Sequence, residues 1–315
     1  MPSILRNTII TGPARINFRG QHFWSKGDVS LKIINDRFNI ETSHFGKVDE
    51  RISDRRIEVE FEPSGRFTAE LAAVLWPYAN TAVGTSVFAG AVAEADVPLL
   101  IHSRDGREVV IRAAALTKMP SLRLGVSQTI MGSVMFTGLI KNNSVPSDPS
   151  AYYTEYEVPY PGDDGFTMAD ILTPSYSAAW GAAEPWSSFL AESGWTVDFD
   201  LQLAPQKVDG LGTVDMTFQS LAVTAKCVPV GPTQADLLTK LTSPAGLGVS
   251  VATEDNLNIF GNGVYVRLSR AALVDGGLTY GNQAKRLAEA SWIANRNITA
   301  GTADPLFYIG TAAPV

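Results

Sequence analysis

Cysteine and histidine are scarce in this chain of 315 residues: one thiol, Cys227, and three imidazoles, His22, His44 and His102. A lone thiol excludes an intrachain disulfide, and its spacing from those histidines matches no metal motif. Cys227 therefore reads as a buried structural thiol. Long apolar runs are missing as well. Stretches such as Leu71 to Trp76 fall far short of the roughly 18 residues needed to span a bilayer, and Met1-Pro2-Ser3-Ile4-Leu5-Arg6 lacks the basic-then-apolar form of a secretory signal. Neither membrane insertion nor export is expected. No histidine lies near a repeated Ser and Asp, and no Gly-rich phosphate loop follows a buried strand, so nucleophilic and nucleotide chemistry have no footing. The pair Gly261-x-Gly263 is too short to count as such a loop and reads as a hairpin turn. No catalysis, cofactor or metal is expected.

A basic surplus is also lacking. The formal net charge is -7, and it is unevenly spread: residues 1 to 140 carry 16 Lys and Arg against 14 Asp and Glu, residues 141 to 315 carry 9 against 18. No basic patch points to tight nucleic-acid binding. Around a conduit, however, an acidic wall keeps a like-charged polymer from sticking. A composition of 45% hydrophobic and 18% charged residues suits a folded chain of one large or two modest domains.

What the sequence does contain is an internal repeat. At a constant offset of 166 residues, Gly46, Val48 and Asp49 match Gly212, Val214 and Asp215, and Pro63, Gly65, Ala69, Leu71 and Leu75 match Pro229, Gly231, Ala235, Leu237 and Leu241. Further on the offset falls to 157, where Ala114-Ala115-Leu116 meets Ala271-Ala272-Leu273 and Asp105-Gly106 meets Asn262-Gly263. It then falls to 156, where Gly125 meets Gly281 and Phe136 meets Trp292. Near the starts, an offset of 162 pairs Thr11 and Trp24 with Thr173 and Trp186. These matches predict a first repeat over 1–140, a polar connector over 141–164 rich in Asn, Pro and Tyr, and a second repeat with a C-terminal extension over 165–315.

Within one repeat the pattern predicts mostly strands. Val29, Leu31 and Ile33 alternate with polar residues, as do Trp195, Val197 and Phe199, which suits a strand with one buried face. A long hairpin is expected next, with Arg37 to Ser43 leading into a polar segment from His44 to Asp54 and a return along Ile57-Glu58-Val59-Glu60-Phe61. After Pro63-Ser64-Gly65, the spacing of Phe67, Leu71, Val74, Leu75 and Tyr78 gives one apolar helical face, and Leu237, Leu238 and Leu241 supply its counterpart. Thr233 with Asp236 reads as a helix N-terminal cap. Strands over Val97 to Ile101, Val109 to Leu116 and Gln128 to Ile140 close the unit. Residues Ala284 to Ala290 have high helix propensity, but the repeat aligns them with a strand, and strand is the assignment we adopt.

Several features invite sharper readings. Glu58, Glu60 and Glu62 form a row of carboxylates that a hydrolase could use; the aligned Thr224, Lys226 and Val228 do not repeat it, which favours a solvated or lumen-facing side. Asp49 and Asp215, in the recurring Gly-x-Val-Asp, suit acceptors for turn amides. The six tryptophans suggest packing or subunit contacts more than a sugar platform. The tip of the first hairpin carries mixed charge in Lys47, Asp49, Glu50, Arg51, Asp54, Arg55 and Arg56.

The segments GKVDERISDRRIEVEFEPSGRFTAELAAVL (46–75), DGREVVIRAAALTKMPSLRLGVSQTIMGSVMFTG (105–138) and GNGVYVRLSRAALVDGGLTYG (261–281) together resemble the tail-tube subunits of long-tailed bacteriophages, across both repeats but not the connector. The resemblance implies a mainly β, sandwich or barrel-type fold with one short helix per repeat. It also implies that both copies contribute strands to an intersubunit barrel, in six-position rings stacked into a hollow virion tail assembled in the host cytoplasm. The partners it implies are the chain itself, a tape-measure protein, tail terminator and baseplate proteins, and transiting genomic DNA read without sequence specificity. It would make the seven charged tip residues contacts between rings. Two copies per chain favour three chains per ring, since three chains then fill six positions. A baseplate or contractile inner-tube ring, and a β-sandwich carbohydrate-binding or hydrolytic module, are the alternatives.

Overall fold

A computed structural model describes residues 9–10, 13–65, 67–88, 97–125, 131–140, 148–162, 176–242, 255–261, 263–276, 278–280, 285–296, 298–299 and 302–314. Thr11, Thr173, Gly281, Asn262, Ala284 and the connector residues 141–147 lie outside them. Among the described residues the fold is mainly β with two short α-helices, Ala69–Leu75 and Gln234–Thr242, and the strands of its sheets pair antiparallel.

Two long hairpins dominate. Val29–Thr42 pairs with Gly46–Phe61, and Trp195–Val208 with Gly212–Cys227; the strand lengths, 14 and 16 residues, are the same in both. Each hairpin carries two bulges. In the first, the register slips between Asp36 and Arg37 and between Ile40 and Glu41, leaving Ser53 and Val48 as the extra residues. In the second it slips between Gln202 and Leu203 and between Gln206 and Lys207, leaving Gln219 and Val214. Both extra residues recur at the same 166-residue offset, so the repeat is written into the irregularities of the strands as well as into side-chain identity.

The recurring Gly-x-Val-Asp thus encodes the end of a turn followed by a bulge. Gly46 and Gly212 open the returning strands with φ of +67° and +78°, a region nearly closed to other L-residues. One residue past each bulge, Asp49 Oδ1 accepts from Glu50 N at 2.8 Å, and Asp215 Oδ1 accepts from Met216 N at 2.7 Å. These carboxylates cap strand amides beside the bulge rather than amides of the turn itself.

Among the described residues each copy is built on two large sheets, and the second adds two two-stranded ribbons, Leu278–Tyr280 with Lys285–Leu287 and Ile298–Thr299 with Thr302–Ala303. In the first, the hairpin sheet runs, in spatial order, Ile9–Ile10, Val29–Thr42, Gly46–Phe61, Val134–Leu139, Ala113–Lys118; in the second it runs Leu122–Leu124, Trp195–Val208, Gly212–Cys227, Ala290–Ile293, Ala272–Asp275. The companion sheets are likewise matched. Tyr153–Glu157, Arg107–Ile111, Leu99–His102, Arg15–Phe18, Gln21–Ser25 and Pro63–Ser64 correspond in order to Phe307–Gly310, Val264–Leu268, Leu257–Gly261, Ser177–Trp180, Phe189–Ala191 and Pro229–Val230. The described part of the connector is therefore not a free tether. Its strand Tyr153–Glu157 completes the first copy as Phe307–Gly310 completes the second.

Aromatic side chains fill the space between the sheets of each copy. Phe136 meets Phe18 at 4.9 Å and Phe61 at 6.0 Å between ring centroids; its counterpart Trp292 meets Trp195 at 5.5 Å, Trp180 at 6.0 Å and Phe189 at 6.1 Å. The register confirms this equivalence, since Phe136 stands opposite Val59 and Leu116, and Trp292 opposite Ala225 and Leu273. The pairing of Trp24 with Trp186 does not survive. Trp24 lies opposite Ser64, as Leu190 lies opposite Val230, because the second copy's hairpin turn between Trp180 and Phe189 is longer and shifts the offset from 162 to 166. Trp186 sits in that enlarged turn and packs on Trp180 at 5.3 Å.

The two helices occupy equivalent places and are capped alike. Thr68 Oγ1 accepts from Leu71 N at 3.1 Å. Thr233 and Asp236 form the reciprocal box: Asp236 Oδ2 accepts from Thr233 N at 2.7 Å and Thr233 Oγ1 accepts from Asp236 N at 3.3 Å. Lys285–Leu287 is a strand despite its helical propensity.

Candidate assembly interface

The segment from His44 to Asp54, expected as a loop, is almost wholly strand: only residues 43–45 form the turn. Bulges let the hairpin keep pairing while it bends, so the polar residues lie along a ladder. The seven charged residues consequently separate into two groups. Lys47, Asp49, Glu50 and Arg51 are exposed near the tip, where Lys47 pairs with Glu50 and Arg37 reaches Glu50 at 3.3 Å. The hydrogen bond from Lys47, reinforced by Arg37, holds the Glu50 carboxyl below its ordinary value.

Asp54, Arg55 and Arg56 are engaged within the chain. Asp54 is 3% exposed and receives the tip of the second hairpin: Thr213 N donates to Oδ1 at 2.8 Å and Thr213 Oγ1 to Oδ2 at 2.6 Å. Burial alone would raise its pKa, but the Thr213 bonds, with Lys207 and Arg56 nearby, outweigh it and hold the carboxyl low. Arg56 bridges Asp36 at 3.0 Å and Glu58 at 3.3 Å. Arg55 donates to Asn35 at 2.7 Å and lies over the Tyr152 ring at 5.7 Å. A cleft of about 680 Å³ opens beside this junction, lined by Phe38, Ile52, Asp54, Tyr152, Lys207 and Leu211 among others.

Asp54–Thr213 is one edge of a wider contact between the copies. The helix Ala69–Leu75 lies against Gln21–Ser25 of its own copy and Phe307–Gly310 of the second, and the segment after it lies against the second hairpin. Trp76 meets Phe199 at 6.3 Å, and Tyr78 meets Phe218 at 6.0 Å. Backbone bonds fix the fit: Gly84 N and Val87 N donate to Phe218 O and Met216 O, both at 2.8 Å, and Phe218 N donates to Thr85 O at 2.9 Å. At the sheet edge, Leu122–Leu124 continues beyond Ala113–Lys118 and pairs with Trp195–Val197 of the second copy. One run of chain thereby belongs to both hairpin sheets, on Val134–Leu139 of the first copy and on Trp195–Val208 of the second.

The same surface on the first hairpin is bare. At the 166-residue offset, Ile33 and Ile52 correspond to Phe199 and Phe218. Phe218 is 1% exposed, whereas Ile33 is 45% and Ile52 49% exposed, with Phe38 at 49% on the same hairpin. On the helix of the second copy, Leu238 is 47% exposed. The alternation that puts Ile33 with Val29 and Leu31 on a buried face fails at Ile33, which is exposed where the hairpin leaves the core, and Ile52 carries no local mark of an interface. Only the contrast with their covered counterparts marks them.

The carboxylate row is spent on local pairs. Lys118 Nζ reaches Glu60 Oε1 at 3.0 Å, and that hydrogen bond holds Glu60 low. Glu58 binds Arg56, and Glu62 lies 3.7 Å from Lys26. Cys227 is buried, and desolvation pushes its thiol far up. Among the described residues no cluster of His, Cys, Asp or Glu could hold a metal, and no helix is long and apolar enough to cross a membrane. No protein-family model matches the chain, and no curated protein matches it.

Proposed function

We propose that this chain is a structural subunit that closes, three chains at a time, into a pseudo-six-fold ring, and that such rings stack into the tail tube of a bacteriophage virion. In this role it conducts the genome and encloses a tape-measure protein, and its hairpin sheets join into an intersubunit barrel. The observation that carries the reading is the contrast between Phe218, covered by the first copy, and Ile52, its exposed equivalent. An interface made once inside the chain, with one half of the same interface free at each end, is heterologous and repeats head to tail until it closes. Copies that alternate around a ring and share one set of contacts need an even number of positions, and six positions need three chains.

Chemistry on the sheets fits a conduit. Leu31, Val59 and Phe61 point into the core, while Ser30, Lys32, Glu58 and Glu60 take the opposite face, matched in the second copy by Thr196, Asp198, Thr224 and Lys226. A polar face of mixed sign offers passing DNA little to adhere to.

Electron microscopy of the purified chain, with sedimentation, tests the reading. Hollow tubes of three-chain rings are expected. Rings that stop at one layer would transfer the chain to a baseplate, and a monomer of 33.8 kDa at every concentration would overturn assembly altogether.

A further inference from the structure

The edge contact between the copies has an unused duplicate. Leu122–Leu124 pairs with the second hairpin in the register Leu122–Val197, Arg123–Thr196, Leu124–Trp195, and Leu122 also bridges back to Met131. The equivalent ribbon in the second copy is Leu278–Tyr280 with Lys285–Leu287, in which Leu278 stands opposite Leu287. These two positions are Leu122 and Met131 shifted by 156 residues. Among the described residues this ribbon joins no larger sheet.

Its target can be read from the same symmetry. Shifted by 166 residues, Trp195–Val197 becomes Val29–Leu31, the outer edge of the first hairpin. Within one chain that edge is taken by a strand of two residues, with Ile10 opposite Val29 and Ile9 opposite Ser30. Ile10 therefore sits where Leu124 sits on Trp195.

We infer that in the assembled ring Leu278–Tyr280 of one chain pairs antiparallel with Val29–Leu31 of the next, displacing Ile9–Ile10, which caps this edge in the unassembled chain. This rests on the ring reading above and names the strand that joins its subunits. The expected register is Tyr280–Val29, Thr279–Ser30, Leu278–Leu31. An exposed strand edge templates pairing with any available strand, so a short internal strand that holds the edge until a longer one arrives restrains unordered growth. Two residue pairs form a weak ladder, and three pairs backed by the Ile33 and Ile52 surface exceed it. Asp28 stands where Gly194 does. Gly194 has a φ of +87° and leaves room for Gly125, so pairing with the next chain is expected to end at Val29.

Paired cysteines test this in the full chain. Ser30→Cys with Thr279→Cys should, under mild oxidation, give covalent species on a denaturing gel that end at three chains, while either substitution alone gives none. Arg123→Cys with Thr196→Cys calibrates the chemistry, because the structure pairs those residues within one chain and an intrachain bond is expected. Cys227, buried with a thiol pushed far up, stays in place. Rings seen by microscopy without the interchain bond would overturn the strand pairing and leave the ring standing. Chains that remain monomeric would overturn both. A further variant, Ile10→Pro, removes a ladder amide from the capping strand; cross-linking should be faster, and slower cross-linking would overturn the displacement.

Discussion

Asp54 and Thr213 join the two copies through a buried carboxylate, and a carboxylate with few alternatives to its donors is sensitive to losing one. Thr213→Ala removes the hydroxyl donor and should cost about 1.5–3 kcal/mol, the usual range for a hydrogen bond to a charged group, read as a lowered urea midpoint at unchanged slope. The pH dependence has a definite sign. The folded pKa of Asp54 lies below its ordinary 3.8, so the stabilisation is fully present above that value and is lost as pH falls through the folded pKa. An Asp54→Asn variant should therefore lose stability near neutrality and show a shallower decline below about pH 4, measured by urea titration from neutrality down through the acid range. Trp292 is the corresponding apolar centre. It is fully buried among four aromatic rings, and Trp292→Ala should cost about 3–5 kcal/mol by cavity formation.

Hairpin geometry makes a different prediction, about two glycines in equivalent positions. Gly46 and Gly212 both have positive φ, and replacing either with alanine carries a left-handed penalty of about 1–2 kcal/mol. A Cβ on Gly46 meets open space, whereas one on Gly212 would stand 2.6 Å from Asp54 Oδ1. Gly212→Ala should thus destabilise clearly more than Gly46→Ala in chemical denaturation, because it also pushes the copies apart. Much at this scale was legible in the sequence. Period-two alternation located the hairpin strands, Thr233 and Asp236 located a helix start, and the repeat overruled the helical propensity of Lys285–Leu287. The failures share a cause. The polar residues of His44 to Asp54 resemble those of a loop, but a ribbon that projects from the body is solvated on both faces and needs no apolar alternation. Trp24 and Trp186 match by identity alone, since a turn longer by four residues changes the offset without any local mark. The strand at Tyr153–Glu157 was hidden in a Pro- and Asn-rich stretch whose composition resembles a tether.

For the whole molecule, the contrast between covered and bare equivalents separates folding from assembly. Phe218 is held between the copies and contributes to the stability of the single chain, while Ile52 touches nothing comparable and is expected to be buried only by a neighbour. Ile33→Asp with Ile52→Asp should therefore leave the thermal midpoint within a few degrees, since exposed substitutions typically change stability by no more than about 0.5 kcal/mol. The same pair should block ring closure, because each would bury an unpaired carboxylate in an apolar contact. Phe218→Ala should do the reverse at the level of the monomer, lowering its stability by about 3–5 kcal/mol. Charge at the hairpin tip belongs to a third class. Arg51 is exposed at the tip, whereas Lys47 pairs with Glu50 and Arg55 and Arg56 have intrachain partners of their own, so reversal of Arg51 to Glu is the cleaner probe of contacts between rings. Sedimentation velocity and microscopy distinguish the three outcomes. Loss of rings from the isoleucine pair, with folding intact, supports the head-to-tail interface, and loss of tubes with rings retained, from the tip reversal, supports stacking through the first hairpin. Rings that form unimpaired with aspartate at both Ile33 and Ile52 would show that the exposed face of the first hairpin is not where the next chain binds.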